Sequence, residues 1–94
     1  MDIYQVQLSK KAREDLKKIP AYITYKLQLW IDGVKERGLA EIRKTPGFHD
    51  EPLKGKRQGQ RSIRLNKAYR AIYQINLDGS IEFVEIIEVN KHDY

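Results

Sequence analysis

The apolar period changes partway along this chain, and few folds accommodate both periods in that order. Ile23, Leu27, Trp30, Ile31 and Val34 fall at i, i+4, i+7, i+8 and i+11, one stripe along a helix that Gly38 ends. From residue 61 the period is two. RSIRL (61–65), YRAIYQINL (69–77) and SIEFVEIIEV (80–89) read as strands, with Asp78-Gly79 as a hairpin turn between the last two. Upstream, IYQVQLS (3–9) alternates as a short strand, and Ser9 is placed to cap a first helix that stops at Pro20. Residues 38–60 hold little periodicity and read as loop, with a short helical turn before Pro46. The expected fold is α+β in the order β-α-α-β-β-β. A small antiparallel-rich sheet carries an N-terminal helical hairpin on one face, with residues 1–94 as a single domain. Trp30 lies on the stripe and is read as core.

Alternation sorts the strand residues by face. Tyr69, Ala71, Tyr73, Ile75 and Leu77 are expected against the helices, with Ile63 and Leu65 beside them. Ser62, Arg64, Arg70, Ile72, Gln74 and Asn76 then share the uncovered face. Arg61 has the parity of Ile63 but is expected to splay into solvent at the strand's start. In the last strand Ile81, Phe83, Ile87 and Val89 fall on one face, interrupted by Glu85, and Val84 and Ile86 on the other. Such a strand is buried on both sides and flanked within the sheet.

Charge is uneven. Residues 43–73 carry nine Lys or Arg against two Asp or Glu, a net of +7, whereas residues 74–94 have a net of −4. A basic block of this kind suits a polyanion, with a solvated surface as the alternative. The cations concerned are Lys54, Lys56, Arg57, Arg61, Arg64 and Lys67, candidates for contact with such a polyanion and, on the resemblance given below, with RNA. Arg64 and Arg70 can meet on adjacent strands, where two planar guanidinium forks suit phosphate. The alternative is that each pairs with a carboxylate of the last strand, Glu82 or Glu88. The chain has no Cys, which removes disulfides and thiol nucleophiles, and its two His show no metal-ligand spacing. No cofactor is called for. No apolar stretch nears the roughly 20 residues that span a bilayer. With no long apolar segment after Asp2, the expectation is a cytoplasmic protein without a secretory signal.

What remains is a loop carboxylate (Glu51), cations (Lys54, Arg64, Arg70), an imidazole (His92) and a phenol (Tyr94). Metal-independent RNA cleavage needs such a set. The 2′-OH must lose a proton, the phosphorane's negative charge must be stabilised, and the 5′-oxygen must gain a proton. For His92 the competing reading is an exposed residue near a terminus.

EPLKG (51–55), SIRLN (62–66), YRAIY (69–73) and a strand running into KHDY together resemble the RelE/ParE toxin superfamily, and the order of elements agrees over the whole chain. The resemblance implies a small basic toxin held inactive by a cognate antitoxin protein. Its RelE-like branch, with RelE, YoeB and HigB, cleaves mRNA in the ribosomal A site without metal, whereas the ParE branch inhibits DNA gyrase. On the RelE-like reading Glu51 is the general base, Lys54 and Arg64 contact phosphate, Arg70 stabilises the transition state, and His92 is the acid. Tyr94 orients the substrate, although Asp93 separates it from His92, a departure from the His-Tyr ending of YoeB. Ser62 stands where RelE carries a second Lys, a departure from an all-basic site.

Overall fold

The computed structural model describes residues 2–91, so His92 and Tyr94 lie outside the described residues. Its elements are β1 (Val6–Leu8), α1 (Lys10–Leu16), α2 (Ala21–Arg37), α3 (Leu39–Ile42), β2 (Glu51–Pro52), β3 (Arg61–Arg64), β4 (Tyr69–Asp78) and β5 (Ile81–Lys91). Short 3-10 turns cover Pro46–Phe48 and Gly55–Arg57. The sheet order is β1-β5-β4-β3-β2, with β1 parallel to β5 and every other pair antiparallel. The α+β expectation therefore stands. The segment expected as loop contributes a fifth, two-residue strand, β2.

Ser9 caps α1 as its sequence position suggested, accepting a hydrogen bond from the Ala12 backbone N–H at 3.0 Å. On α2 the stripe Ile23, Leu27, Trp30, Ile31 and Val34 is wholly buried. It packs on Ile63, Leu65, Ala71, Tyr73, Val84, Ile86 and Val89 of the sheet region. Trp30 and Tyr73 meet with ring centroids 5.0 Å apart at a tilt of 46°. Each fully buried side chain of this size contributes about 1.5–3 kcal/mol.

Two face assignments are corrected. β4 and β5 slip register between Ile72, opposite Glu88, and Tyr73, opposite Ile86, which leaves Ile87 as an extra residue in β5. This bulge reverses parity, so Val84 and Ile86 point to the helices before it and Val89 after it. Its backbone is satisfied from outside the sheet. The Ser9 hydroxyl donates to the Ile87 carbonyl at 2.8 Å, and the Val89 N–H donates to Asp15 at 3.0 Å. Ile75 and Leu77 have the helix-side parity but are exposed.

Gly38 joins α2 to α3 at φ +90°, and a Cβ there would overlap the Asp2 carboxylate. That carboxylate accepts from the Ile3 and Ala40 N–H groups. The bond from Ala40, then the one from Ile3, hold its pKa below the ordinary aspartate value. Gly38→Ala is therefore expected to lower the urea midpoint, because it both strains the backbone and displaces the Asp2 contact.

Candidate functional site

Cross-strand register assembles the face away from the helices row by row, and that face is not bare as expected, since Ser62 and Ile72 on it are buried. Glu51, Ser62, Ile72 and Glu88 stand side by side across β2, β3, β4 and β5. The adjacent row on that face is Arg64, Arg70 and Asn90. Arg64 and Arg70 are direct partners on neighbouring strands, as the alternation predicted. Two like charges directly opposite destabilise a sheet, so an arrangement of this kind calls for a compensating anion. Among the described residues no carboxylate comes within ion-pair distance of either guanidinium. Arg70 Nε makes one long contact, 3.4 Å, to the Asn90 side chain.

Glu88, considered above as a partner for these arginines, is taken by Arg57 instead. Arg57 reaches Glu88 from the loop after β2, and Glu88 also accepts from Asn90 at 2.9 Å. Burial pushes the Glu88 carboxyl upward, but hydrogen bonds from Arg57 and then Asn90 outweigh it and hold it below the ordinary glutamate value. The stability from this pair is thus present above the unfolded glutamate pKa and lost as pH falls through the depressed folded value. Arg57→Gln should raise the Glu88 titration midpoint, measured by NMR.

A cleft of about 60 Å³ opens beside the arginine row, lined by His49, Glu51, Ser62, Ile63, Arg64, Asn66, Lys67, Tyr69 and Arg70. Glu51 comes from β2, which pairs with β3 through Glu51–Ser62 and Pro52–Arg61. The β3–β4 connection forms the far wall. Asn66 tightens it by accepting from the Ala68 and Tyr69 N–H groups at 2.7 and 2.8 Å, an Asx turn that leaves Lys67 exposed. Among the residues assigned above, the cleft therefore brings together Glu51, Arg64, Lys67 and Arg70. Lys54 and Lys56 are exposed in the loop after β2 and do not line it.

Arg61 does not splay into solvent. Its Nε donates to Asp50 at 2.6 Å, and the Asp50 side chain is fully buried. Asp50 also accepts from the Tyr73 hydroxyl at 2.6 Å, and Arg43 Nε donates to that hydroxyl at 3.2 Å. Burial lowers the Arg61 pKa, but the hydrogen bond and charge of Asp50 more than offset this and raise it overall. Burial, with Asp50 beside it, pushes the Tyr73 phenol up to about 12. Arg61 is thus committed to an internal network on the helix side of the sheet. Its parity was visible in the sequence; the buried carboxylate that turns it inward was not.

His49 was not assigned a catalytic role from sequence, yet it lines the cleft. A second groove, about 320 Å³, opens between edge strand β1 and α2, lined by Val6, Gln7, Leu8, Arg13, Gln28, Ile31 and Lys35. It is lined by cations but by no carboxylate or imidazole, whereas the first cleft carries both.

The arrangement of a basic sheet face, an α-helical cover and a carboxylate from a short edge strand defines a RelE-like toxin fold. The family described as the ParE toxin of type II toxin–antitoxin systems matches residues 6–93, and the chain belongs to it. Among solved structures, the YoeB/ParE toxin from Agrobacterium tumefaciens aligns with a TM-score of 0.68 at 22% identity, covering 95% of this chain and 99% of that one. The RelBE2 toxin–antitoxin complex from Mycobacterium tuberculosis gives 0.68 at 27%, covering 96% and 99%. YafQ from E. coli gives 0.71 at 16%, covering 94% and 92%. No curated protein sequence matches this chain significantly. The protein is a toxin of a type II toxin–antitoxin system.

Proposed function

We propose that the cleft is the active site of a metal-independent endoribonuclease that cuts mRNA, in the ribosomal A site, and so stops translation. The observation that carries this reading is the direct Arg64–Arg70 pair, unneutralised among the described residues, with Glu51 on the same cleft. A phosphodiester supplies the missing anion, and the carboxylate supplies the base.

Glu51 takes the proton of the 2′-OH, the 2′-oxygen bonds to phosphorus, and the bond to the 5′-oxygen breaks. Arg70 and Arg64 hold the non-bridging oxygens as their charge grows. The 5′-oxygen leaves with a proton from an acid, a role the family resemblance gives to His92, with Tyr94 orienting the base. Lys54, Lys56 and Lys67 supply phosphate contacts at the rim, and binding should weaken steeply with salt. Arg57 and Arg61 are tied to Glu88 and Asp50 and are withdrawn from the list of RNA contacts. A cytoplasmic location follows from this substrate. Relatives solved with their antitoxins, RelBE2 and the YoeB–YefM complex from Staphylococcus aureus, support a cognate antitoxin as partner.

A second reading is favoured by the family match itself: inhibition of DNA gyrase by binding, with no need of a proton-transfer pair. The two are separated by inducing the toxin, mapping mRNA 5′ ends, and assaying supercoiling by gyrase with the purified protein. New ends within translated messages and unaffected supercoiling are expected. Loss of supercoiling without new ends would replace the first reading with the second.

Removing one member of the arginine pair should also relieve repulsion. Arg64→Gln is expected to raise folding stability by about 0.2–1 kcal/mol in urea titration while weakening RNA cleavage.

A further inference from the structure

The imidazole that the structure itself brings to the cleft is His49. Its backbone is left-handed, φ +45° and ψ +51°, and it is the sole non-glycine residue with positive φ among those described. A glycine would end the 3-10 turn there without cost, whereas a side chain in this region costs of order 1 kcal/mol. His49 is also fixed from both sides. Phe48 before it is buried in the core, with the Lys26 ammonium 4.7 Å from its ring centroid. The side chain of Asp50 after it is fully buried and tied to Arg61 and the Tyr73 hydroxyl. Two neighbours with buried side chains thus present an exposed His49 at the cleft, two residues from Glu51 on the same segment. Strain retained at a rigidly held, titratable residue is the pattern expected of a functional group.

We propose that His49, in place of the His92 to which the family resemblance points, is a catalytic residue, the general acid that protonates the departing 5′-oxygen, an assignment that rests on the ribonuclease reading. As Glu51 removes the 2′-OH proton and the 2′-oxygen–phosphorus bond forms, the phosphorus–5′-oxygen bond breaks. Its electron pair goes to the oxygen, which takes the proton of the His49 imidazolium. The products are a 2′,3′-cyclic phosphate and a free 5′-OH, with Glu51 protonated and His49 neutral.

The test uses a short synthetic mRNA, supplied free and in the A site of programmed ribosomes. It carries either the natural linkage or a bridging 5′-sulfur at the mapped cut. A thiolate leaves without protonation, so the sulfur substrate does not need the acid. His49→Asn keeps a residue tolerant of left-handed backbone and removes the titrating ring. It should slow the natural RNA by about 10²–10⁴-fold and cleave the sulfur RNA within roughly tenfold of wild type. Glu51→Gln should be slow on both. His49→Gly, which removes the backbone strain as well, should behave as His49→Asn does.

Equal slowing of His49→Asn on both substrates would overturn the assignment, as would wild-type cleavage of the natural RNA. So would sulfur rescue confined to His92→Asn. If the wild-type toxin cut neither RNA, the ribonuclease reading would itself fall, and the acid role with it.

Discussion

Asp50→Ala is expected to cost about 3–5 kcal/mol of folding stability, the cost of leaving a partly buried charge without its partner. The Asp50 side chain is fully buried, and it accepts from Arg61 Nε and the Tyr73 hydroxyl, each at 2.6 Å. Removing it strands both donors on the helix side of the sheet, where Arg43 also reaches Tyr73. Tyr73→Phe removes one donor only and should cost about 0.5–1.5 kcal/mol. Urea titration at neutral pH measures both. The same network predicts the alkaline limit. Because the Tyr73 phenol is raised to about 12 in the fold, from an ordinary value of 10, its contribution is complete below pH 10. It is lost as pH rises through the folded value, since only the unfolded chain then ionises freely. Tyr73→Phe should therefore flatten the loss of stability over that interval.

The second large effect concerns chemistry. Arg70→Ala and Glu51→Gln should each reduce RNA cleavage by about 10²–10⁴-fold and abolish growth arrest. Stability should change by under about 1 kcal/mol for either substitution, since neither side chain forms an ion pair among the described residues. Arg70 lies against Asn90 only at 3.4 Å, and Glu51 is exposed on an edge strand. Single-turnover cleavage and antitoxin binding, measured on the same preparations, separate lost catalysis from lost folding. Retained antitoxin binding with lost cleavage is the expected pair of results.

Much of this architecture was legible because period and turn chemistry act locally. The α2 stripe, the Ser9 cap and the Arg64–Arg70 pairing all follow from spacing within a few residues. Features that depend on partners far along the chain were not legible. The extra residue at Ile87 is stabilised by Ser9 and Asp15, more than seventy positions away, and nothing in EFVEIIEV announces the change of face. Ile75 and Leu77 alternate correctly, yet both stay exposed, because parity fixes a residue's face and not what covers it. At the cleft, the motifs singled out Glu51 and Arg70, and both side chains line it. Arg57 and Arg61 counted as free charges until the positions of Glu88 and Asp50 were known. His49 carried one faint signal, a histidine just after Pro-Gly-Phe and beside two carboxylates. Its left-handed backbone and the buried neighbours that hold it belong to the fold.

The most direct test of ribonuclease action by 2′-OH attack is the chemical identity of the ends that purified toxin leaves on A-site mRNA of programmed ribosomes. The expected ends are 2′,3′-cyclic phosphate and 5′-hydroxyl, absent with Glu51→Gln. Intact RNA, or 3′-hydroxyl and 5′-phosphate ends, would contradict that chemistry.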